Sequence, residues 1–429
     1  MGLLTRLKKL IRDERGNTLA IGAAALPMLI GGAGFALDTV QISLAKRQLQ
    51  RSADSAALAG AYALVQSRAA QDGVTRDLQI NNEVTLSGTA VVENAPASGP
   101  YAGNTNAVRV RLSTNRALSF MSFFGADSQA ITVEATAAVV REGGFCLLAL
   151  EDGTDPGVTV GGNATINIGC GISTNSRSPT AIIASGSSSV TASPIIAVGG
   201  LGSSSNFATG TTLIPYSATQ TDPFANVPVP APANCTSAPE SAPNSNVTVT
   251  TATAGYTAAT KSFCFNGWDI KGNVTLNFPE PTIVYINGGE LGFGSQAHVV
   301  GNNVVFVLTS TNATSNPASI ATLNMNGGAD LDLNSPSEGP WDGIAIYEDR
   351  RAPLGRTIRF NGGSASVING ALYFPRAYFE YNGNADMAAQ CIQLVARRLD
   401  FRGTGRISNS WSSDIPTQNF EGTYVRLVG

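Results

Sequence analysis

Residues 17–37 read NTLAIGAAALPMLIGGAGFAL, an apolar run without one ionisable side chain. At ~1.5 Å per residue a helix of ~20 residues crosses the ~30 Å hydrocarbon layer, where only a self-satisfied backbone such as a helix is tolerated. The run therefore predicts a transmembrane helix. Before it stand Arg6, Lys8, Lys9, Arg12 and Arg15 against Asp13 and Glu14, and Asp38 follows it at once. The positive-inside rule then makes residues 1–16 a cytoplasmic basic leader and puts the bulk of the chain outside. A cleaved signal peptide would carry a shorter apolar core and a domain start after it, whereas here a helical pattern continues past Asp38. A soluble core helix would not be apolar all round beside a basic flank.

Across residues 38–70 the period stays helical, with Ile42, Ala45, Leu49, Ala56, Ala59 and Ala63 at near-heptad spacing. This thin Ala-rich stripe can pack closely on the chain's own next domain or on a copy of itself. Over residues 71–142 the pattern turns to alternation, clearest where Val108, Val110 and Leu112 interleave with Arg109 and Arg111, as in a half-buried strand. ITVEATAAVV reads as a second strand, SFMSFFG as a short apolar turn or helix between them, and ENAPASGPYAGNTNA as a loop. A small α+β module is expected.

Residues 143–429 break into very short apolar strands closed by Gly or Asn, among them VTVGGNATINIG, TIVYINGG, VVFVLTS, GIAIYED and AYFEYNG. That pattern predicts a mainly β domain built as a right-handed parallel β-helix, each ~20-residue coil stacking on the last; a β-sandwich or jelly roll is the alternative. Neutral Asn and Thr at stacked corners can ladder where like charges would repel, and only seven charged side chains lie between Gly143 and Ser262. A Pro/Ala/Ser-rich stretch at about 220–250 predicts an extended loop lying over the coils.

Composition sharpens this picture in two ways. Charged residues are 13% of the chain and the net charge is −3, so no basic footprint for nucleic acid exists beyond the leader. All five cysteines, Cys146, Cys170, Cys235, Cys264 and Cys391, follow the apolar run, where export permits disulfides. Proximity along the chain favours Cys146 with Cys170 and Cys235 with Cys264, leaving Cys391 odd. No Cys-x-x-Cys occurs, so no metal or other cofactor is expected.

Candidate chemistry is sparse. Asp330 and Asp332 share one face of a strand and are followed by Asp342, Glu348, Asp349, Arg350 and Arg351, which could serve acid/base work on a polysaccharide, or could be a solvated edge and a charged turn. The single histidine, His298, has no nucleophile motif near it. Trp268, Trp341, Tyr347, Tyr373, Phe374, Tyr378, Phe379 and Tyr381 offer core, interface or glycan-binding surface, and in AYFEY alternate positions put some of them outside. The Gly pairs precede strands and not helices, so no phosphate loop and no small-molecule substrate are indicated.

The run through residue 64 resembles the N-terminal module of the TadE/TadG-like proteins of the bacterial Flp (tight adherence, Tad) pilus system. The resemblance rests on Arg15 and Gly16 before the span, Pro27 within it, Gly34 to Asp38 at its end, and QxxADxAALAGA after it, with Gln50, Ala53, Asp54, Ala57 and Leu58. GCGISTNS, GPWDGIAIYEDR, INGALYFP and CIQLVA resemble the β-rich extracytoplasmic region of the TadG-type branch. The resemblance implies a single-pass inner-membrane protein with a periplasmic bulk, partnered by the membrane and by pilus assembly proteins and without enzymatic activity. Pilin-like members carry Glu at the fifth position after the processing Gly; here it is Ile21, so the helix is expected to be retained as an anchor. No Asp-x-Ser-x-Ser metal motif is present. A tethered adhesin or glycan-binding module, and after it a polysaccharide lyase or hydrolase, are the alternative functions.

Overall fold

A computed structural model describes residues 17–202, 205–362, 365–383, 386–389, 392–409 and 420–428. Arg15, Gly16 and Cys391, named above, lie outside the described residues. The chain is mainly β with one long N-terminal helix and one shorter one, and it divides into two compact units, Met1–Val140 with Val425–Gly429, and Arg141–Tyr424.

In the first unit helix α1, Asn17–Val65, runs for 49 residues, ~73 Å, straight through Pro27. Its two halves live in different surroundings. Ile21, Leu26, Met28, Leu29, Ile30 and Phe35 are exposed, whereas Leu49, Ala53, Ala56, Ala57 and Ala61 are fully buried. An exposed apolar half of this length is what a membrane anchor presents, and it is the described helix long and apolar enough to cross a bilayer.

The helix expected over 38–70 forms as far as Val65, but the alternation expected from residue 71 does not begin there. The chain reverses after Val65, with Ser67 in the left-handed region and the Arg68 N–H returning to the Ala63 carbonyl at 2.8 Å. Helix α2, Ala70–Asn81, then folds back on α1 through buried Val74 and half-buried Leu78, an i, i+4 pair. Gly73 permits the approach, since a Cβ there would lie 2.3 Å from the Ala59 carbonyl oxygen. Three antiparallel strands follow: β1, Val91–Asn94, pairs with β2, Ala107–Ala117, which pairs with β3, Ser128–Ala149, in the register Val110↔Ala135, and the C-terminal residues join at the Thr136 carbonyl, which accepts the Val428 N–H at 2.8 Å. The Ala-rich stripe packs on α2 and this sheet, so its partner is the chain itself.

The far face of β2 is solvated at Arg111, as alternation predicts, but not at Arg109. Arg109 is 9% exposed because the loop before it folds over: its Nη2 donates to the Ser98 carbonyl at 2.6 Å and its Nη1 to the Ser98 hydroxyl at 3.1 Å.

Strands of the second unit pair almost wholly in parallel, the reverse of a sandwich or jelly roll; the short pair Tyr256–Thr257 with Ser262–Phe265 is antiparallel. One column of facing residues runs Ile270, Phe293, Met325, Phe360, Tyr381, Phe401, Val160 and Ala184, all buried in a common core. The next positions point outward and are mostly polar, with Arg359 on Glu380 at 3.0 Å. Asparagines stack across rungs as ladders, Asn369 Nδ2 donating to Asn334 Oδ1 at 2.7 Å and Asn334 Nδ2 to Asn302 Oδ1 at 2.8 Å.

A second column has apolar residues on both faces. Inward it runs Phe263, Val284, Phe306, Ile346, Leu372, Leu394, Leu147, Ile172 and Ile195; outward it runs Cys264, Tyr285, Val307, Tyr347, Tyr373, Val395, Leu148, Ser173 and Ile196. Along this column the strand nearest the N-terminus, at Leu148, stacks on the late strand at Val395, so the chain must return from Ile214 at one end of the column to Cys235 at the other.

The Pro-rich stretch makes that return. Asn175 brackets Gln220 from both sides, at 2.9 and 2.7 Å, and Tyr373 donates to Asp222 at 2.7 Å. Arg350 donates to the Phe224 carbonyl at 2.9 Å and Arg351 to the Pro230 carbonyl at 3.2 Å, after which Cys235 bonds Cys264. At ~3.1 Å per residue an extended Pro-rich strap easily crosses rungs ~4.8 Å apart. Covering both faces is why these strands read as unbroken apolar runs. Cys146 bonds Cys170, as the spacing suggests.

Candidate functional site at the foot of the apolar helix

Of the residues that carried the family resemblance, Gly34, Asp38, Gln50, Ala53, Asp54, Ala57 and Leu58 lie where α1 docks against its own unit. Asp38, though charged, is 1% exposed. Its Oδ2 accepts the backbone N–H of Phe120 at 3.0 Å and of Met121 at 2.8 Å, holding the tip of the β2–β3 hairpin, where Met121–Phe124 form a 3-10 turn. One helical turn earlier, Gly34 lets the Phe120 ring lie on the helix: a Cβ there would meet the ring at 2.6 Å. Arg116, at the end of β2, reaches Gln41 at 3.3 Å.

Further along, Gln50 Nε2 donates both to Asp54 Oδ1 at 2.8 Å and to the Glu134 carbonyl of β3 at 3.0 Å, tying helix to sheet. Ala53 and Ala57 are fully buried and Leu58 half-buried between these contacts, and Ser55 reaches Asp77 of α2 at 3.0 Å. Gly60 meets Val108 and Val74, where a Cβ would stand 2.9 and 3.0 Å away. A small side chain at each of these positions permits close packing. Pro27 lies in the exposed apolar half and touches no part of this seam.

The short apolar turn expected at SFMSFFG forms, but its docking on Gly34 and Asp38 was not foreseen. Three Phe residues within five positions at a turn, where polar residues are the norm, was the available signal.

Several of the candidate charged residues of the second unit are paired with neighbours. His298 Nδ1 lies 3.1 Å from Asp330 Oδ2 on the adjacent rung, both half-exposed. Asp330 and Glu348 pair with opposite ends of the strand His298–Thr309, so the proposed carboxylate group does not assemble there. The expected solvated turn at Glu348 and Asp349 is in fact buried, both being at most 1% exposed. Asp349 accepts the Thr309 hydroxyl at 2.7 Å and pairs with Arg351 at 2.6 Å, which aims Arg350 and Arg351 at the strap.

Glu348 faces Arg356 at 3.5 Å, and burial pushes its carboxyl up to about 7 against that cation's pull. Burial also raises Asp342. Of the aromatic row all but half-buried Tyr378 are buried, which leaves no exposed aromatic face for a glycan among these residues. Burial beside Asp222 lifts the Tyr373 hydroxyl far above its usual range. Among the described residues no group of three or more His, Cys, Asp or Glu could hold a metal ion.

Glu151 is the strongest charge hub. It is 2% exposed and accepts from Arg397 at 2.9 Å, Arg398 at 2.7 Å and the Gly153 N–H at 2.9 Å. Burial alone would raise its carboxyl, but the two guanidiniums and that amide overcome burial and hold it at about 2. Its contribution is therefore present above the unfolded value near 4.5 and is lost as pH falls toward 2. Glu151→Ala is expected to cost about 2 kcal/mol at neutral pH, below the ~3–5 of a fully buried pair because both arginines keep about a fifth of their surface in water. Urea unfolding of the variant across pH measures it, and the gap to the parent should close in acid.

Among the described residues, then, one helix long and apolar enough to cross a bilayer is fastened at its second half to the folded first unit of a mainly β chain. The particular relationship follows from the helix itself: residues 16–65 match the Tad family, described as Flp pilus-assembly TadE/G-like. No curated protein and no solved structure matches the chain.

Proposed function

We propose that this chain is a non-enzymatic assembly component of a Flp (Tad) pilus system, retained in the inner membrane by α1 with residues 1–16 in the cytoplasm and its bulk in the periplasm. The observation that carries the reading is the family match over residues 16–65, coinciding with a helix whose first half is apolar and exposed and whose second half is fastened to a folded unit. The body is read as a right-handed parallel β-helix presenting a rigid face to other pilus proteins. Parallel columns, an apolar interior and cross-rung Asn pairs support that reading. The scattering of the acidic residues supports a structural role over a lyase or hydrolase, and burial of the aromatics supports protein contact over glycan binding.

Deleting the gene should abolish or sharply reduce surface pili, with restoration by the intact chain, and a tagged chain should co-purify with pilus assembly proteins from the membrane fraction. Protease added to spheroplasts should digest the region beyond α1. Normal piliation of the deletion strain, or protection of that region, would overturn the reading.

A further inference from the structure

The β2–β3 hairpin ends in LSFMSFFGAD, residues 118–127, joining the last paired residues Ala117 and Ser128. At this tip Phe123 is 87% and Phe124 79% exposed, the most exposed aromatic side chains described in the first unit. The position of the tip is fixed by the helix. Phe120 packs on Gly34, inside the apolar run 17–37, and Asp38 binds the next two amides. If α1 crosses the bilayer along that run, the tip lies at the depth of its last turn.

Much of the tip's backbone is satisfied without water. The N–H groups of Leu118, Phe120, Met121, Phe123, Gly125 and Ala126 are all bonded within the unit, to Asp127, Asp38, Phe120, Ser122 and Met121. The Ser122 hydroxyl is turned back onto the Ser119 carbonyl at 3.1 Å. Satisfied backbone is the condition for entering hydrocarbon. Above this level the exposed side chains become charged, with Asp127 at the base of the tip, Arg116 on the hairpin stem beside Gln41, and Lys46 and Arg47 on the following turns of α1, a predominantly cationic set suited to headgroups above acyl chains.

We propose that the hairpin tip is a second membrane contact, in which Phe123 and Phe124 immerse among the lipid acyl chains of the leaflet from which α1 emerges. The occupant is lipid because the tip is seated on α1 at Gly34, next to exposed Phe35 and within the apolar run that ends at exposed Leu37, the surface the bilayer itself would cover. Helix and tip together make two attachment points, and two points fix the tilt and rotation of the first unit on the membrane, which a lone helix leaves open. The inference rests on α1 being the membrane anchor.

The test uses the full chain in phosphatidylcholine vesicles with and without acyl-brominated lipid, which quenches tryptophan only within the hydrocarbon. Phe123→Trp and, as a second site, Phe124→Trp should each add blue-shifted emission that brominated lipid quenches and aqueous acrylamide does not. Ile80→Trp, at a 70% exposed position of α2, should behave oppositely. Leu29→Trp, in the middle of the apolar run, reads the anchor alone. Bromine quenching at Leu29→Trp but at neither tip position overturns this proposal and leaves the anchor standing, whether acrylamide reaches the tip or a protein surface or second copy shields it. Loss of quenching at Leu29→Trp overturns the anchor and the proposal with it.

Discussion

Replacing Asp38 with alanine is expected to release the hairpin tip from α1. A buried carboxylate accepting two backbone N–H groups contributes roughly 1.5–3 kcal/mol per bond, and the amides left behind lose their acceptor in a site with little water. The expected local loss is about 3 kcal/mol, a roughly hundredfold fall in protection from hydrogen exchange at Phe120 and Met121. Protection at Val110 and Ala135, in the middle of the sheet, should hardly change. Asp38→Asn keeps one acceptor without the charge and should fall between. A parallel route to the same defect is Gly34→Leu, whose side chain would occupy the place of the Phe120 ring. Unchanged exchange at Phe120 and Met121 in all three variants would mean that the clasp does not hold the tip.

The second large effect is a pH dependence of opposite sign to the ordinary acidic one. Glu348 is inaccessible, and burial raises its carboxyl from 4.5 to about 7 in the folded chain. A raised carboxylate favours the protonated folded state. Its effect on stability is therefore absent below about 4.5, grows as pH rises toward 7, and is fully destabilising above that. The shift corresponds to about 3 kcal/mol.

Glu348→Gln removes the titration while keeping the shape. Relative to this variant the parent should weaken by about 3 kcal/mol between acid and mildly alkaline conditions, in denaturant unfolding of the full chain followed by Trp268 and Trp341, both buried in the second unit. Glu151 titrates the other way, but it is common to both proteins and cancels in the difference. A parent-to-variant gap that stays level with pH would show that Glu348 ionises in the folded state as readily as in the unfolded one.

Much of this was legible along the chain. The apolar run of 17–37, the strand segments closed by Gly and Asn, the Ala-rich stripe, the strap and both disulfide pairs are properties of neighbouring residues. Transfer free energy, period and short loop closure set them, and all three can be read from a window of the sequence. The neutral Asn corners likewise announced stacking, because a position that repeats itself across rungs tolerates an amide where it rejects a charge.

What stayed hidden depends on which distant segment covers which face. Arg109 read as solvated because alternation cannot foresee that Ser98 folds over it. Glu348 and Asp349 read as a charged turn, since nothing local says that a strap more than a hundred residues earlier would seal that corner. The tip with Phe120, Phe123 and Phe124 was plain as a cluster, yet its meeting with Gly34 and Asp38 joins positions about eighty residues apart through a hairpin register. Local pattern thus determined the elements, the apolar run and the pairing of the cysteines. The clasp, the strap and the buried charges were decided by tertiary structure alone, because burial belongs to the pair of surfaces that meet and the sequence pattern describes one surface at a time.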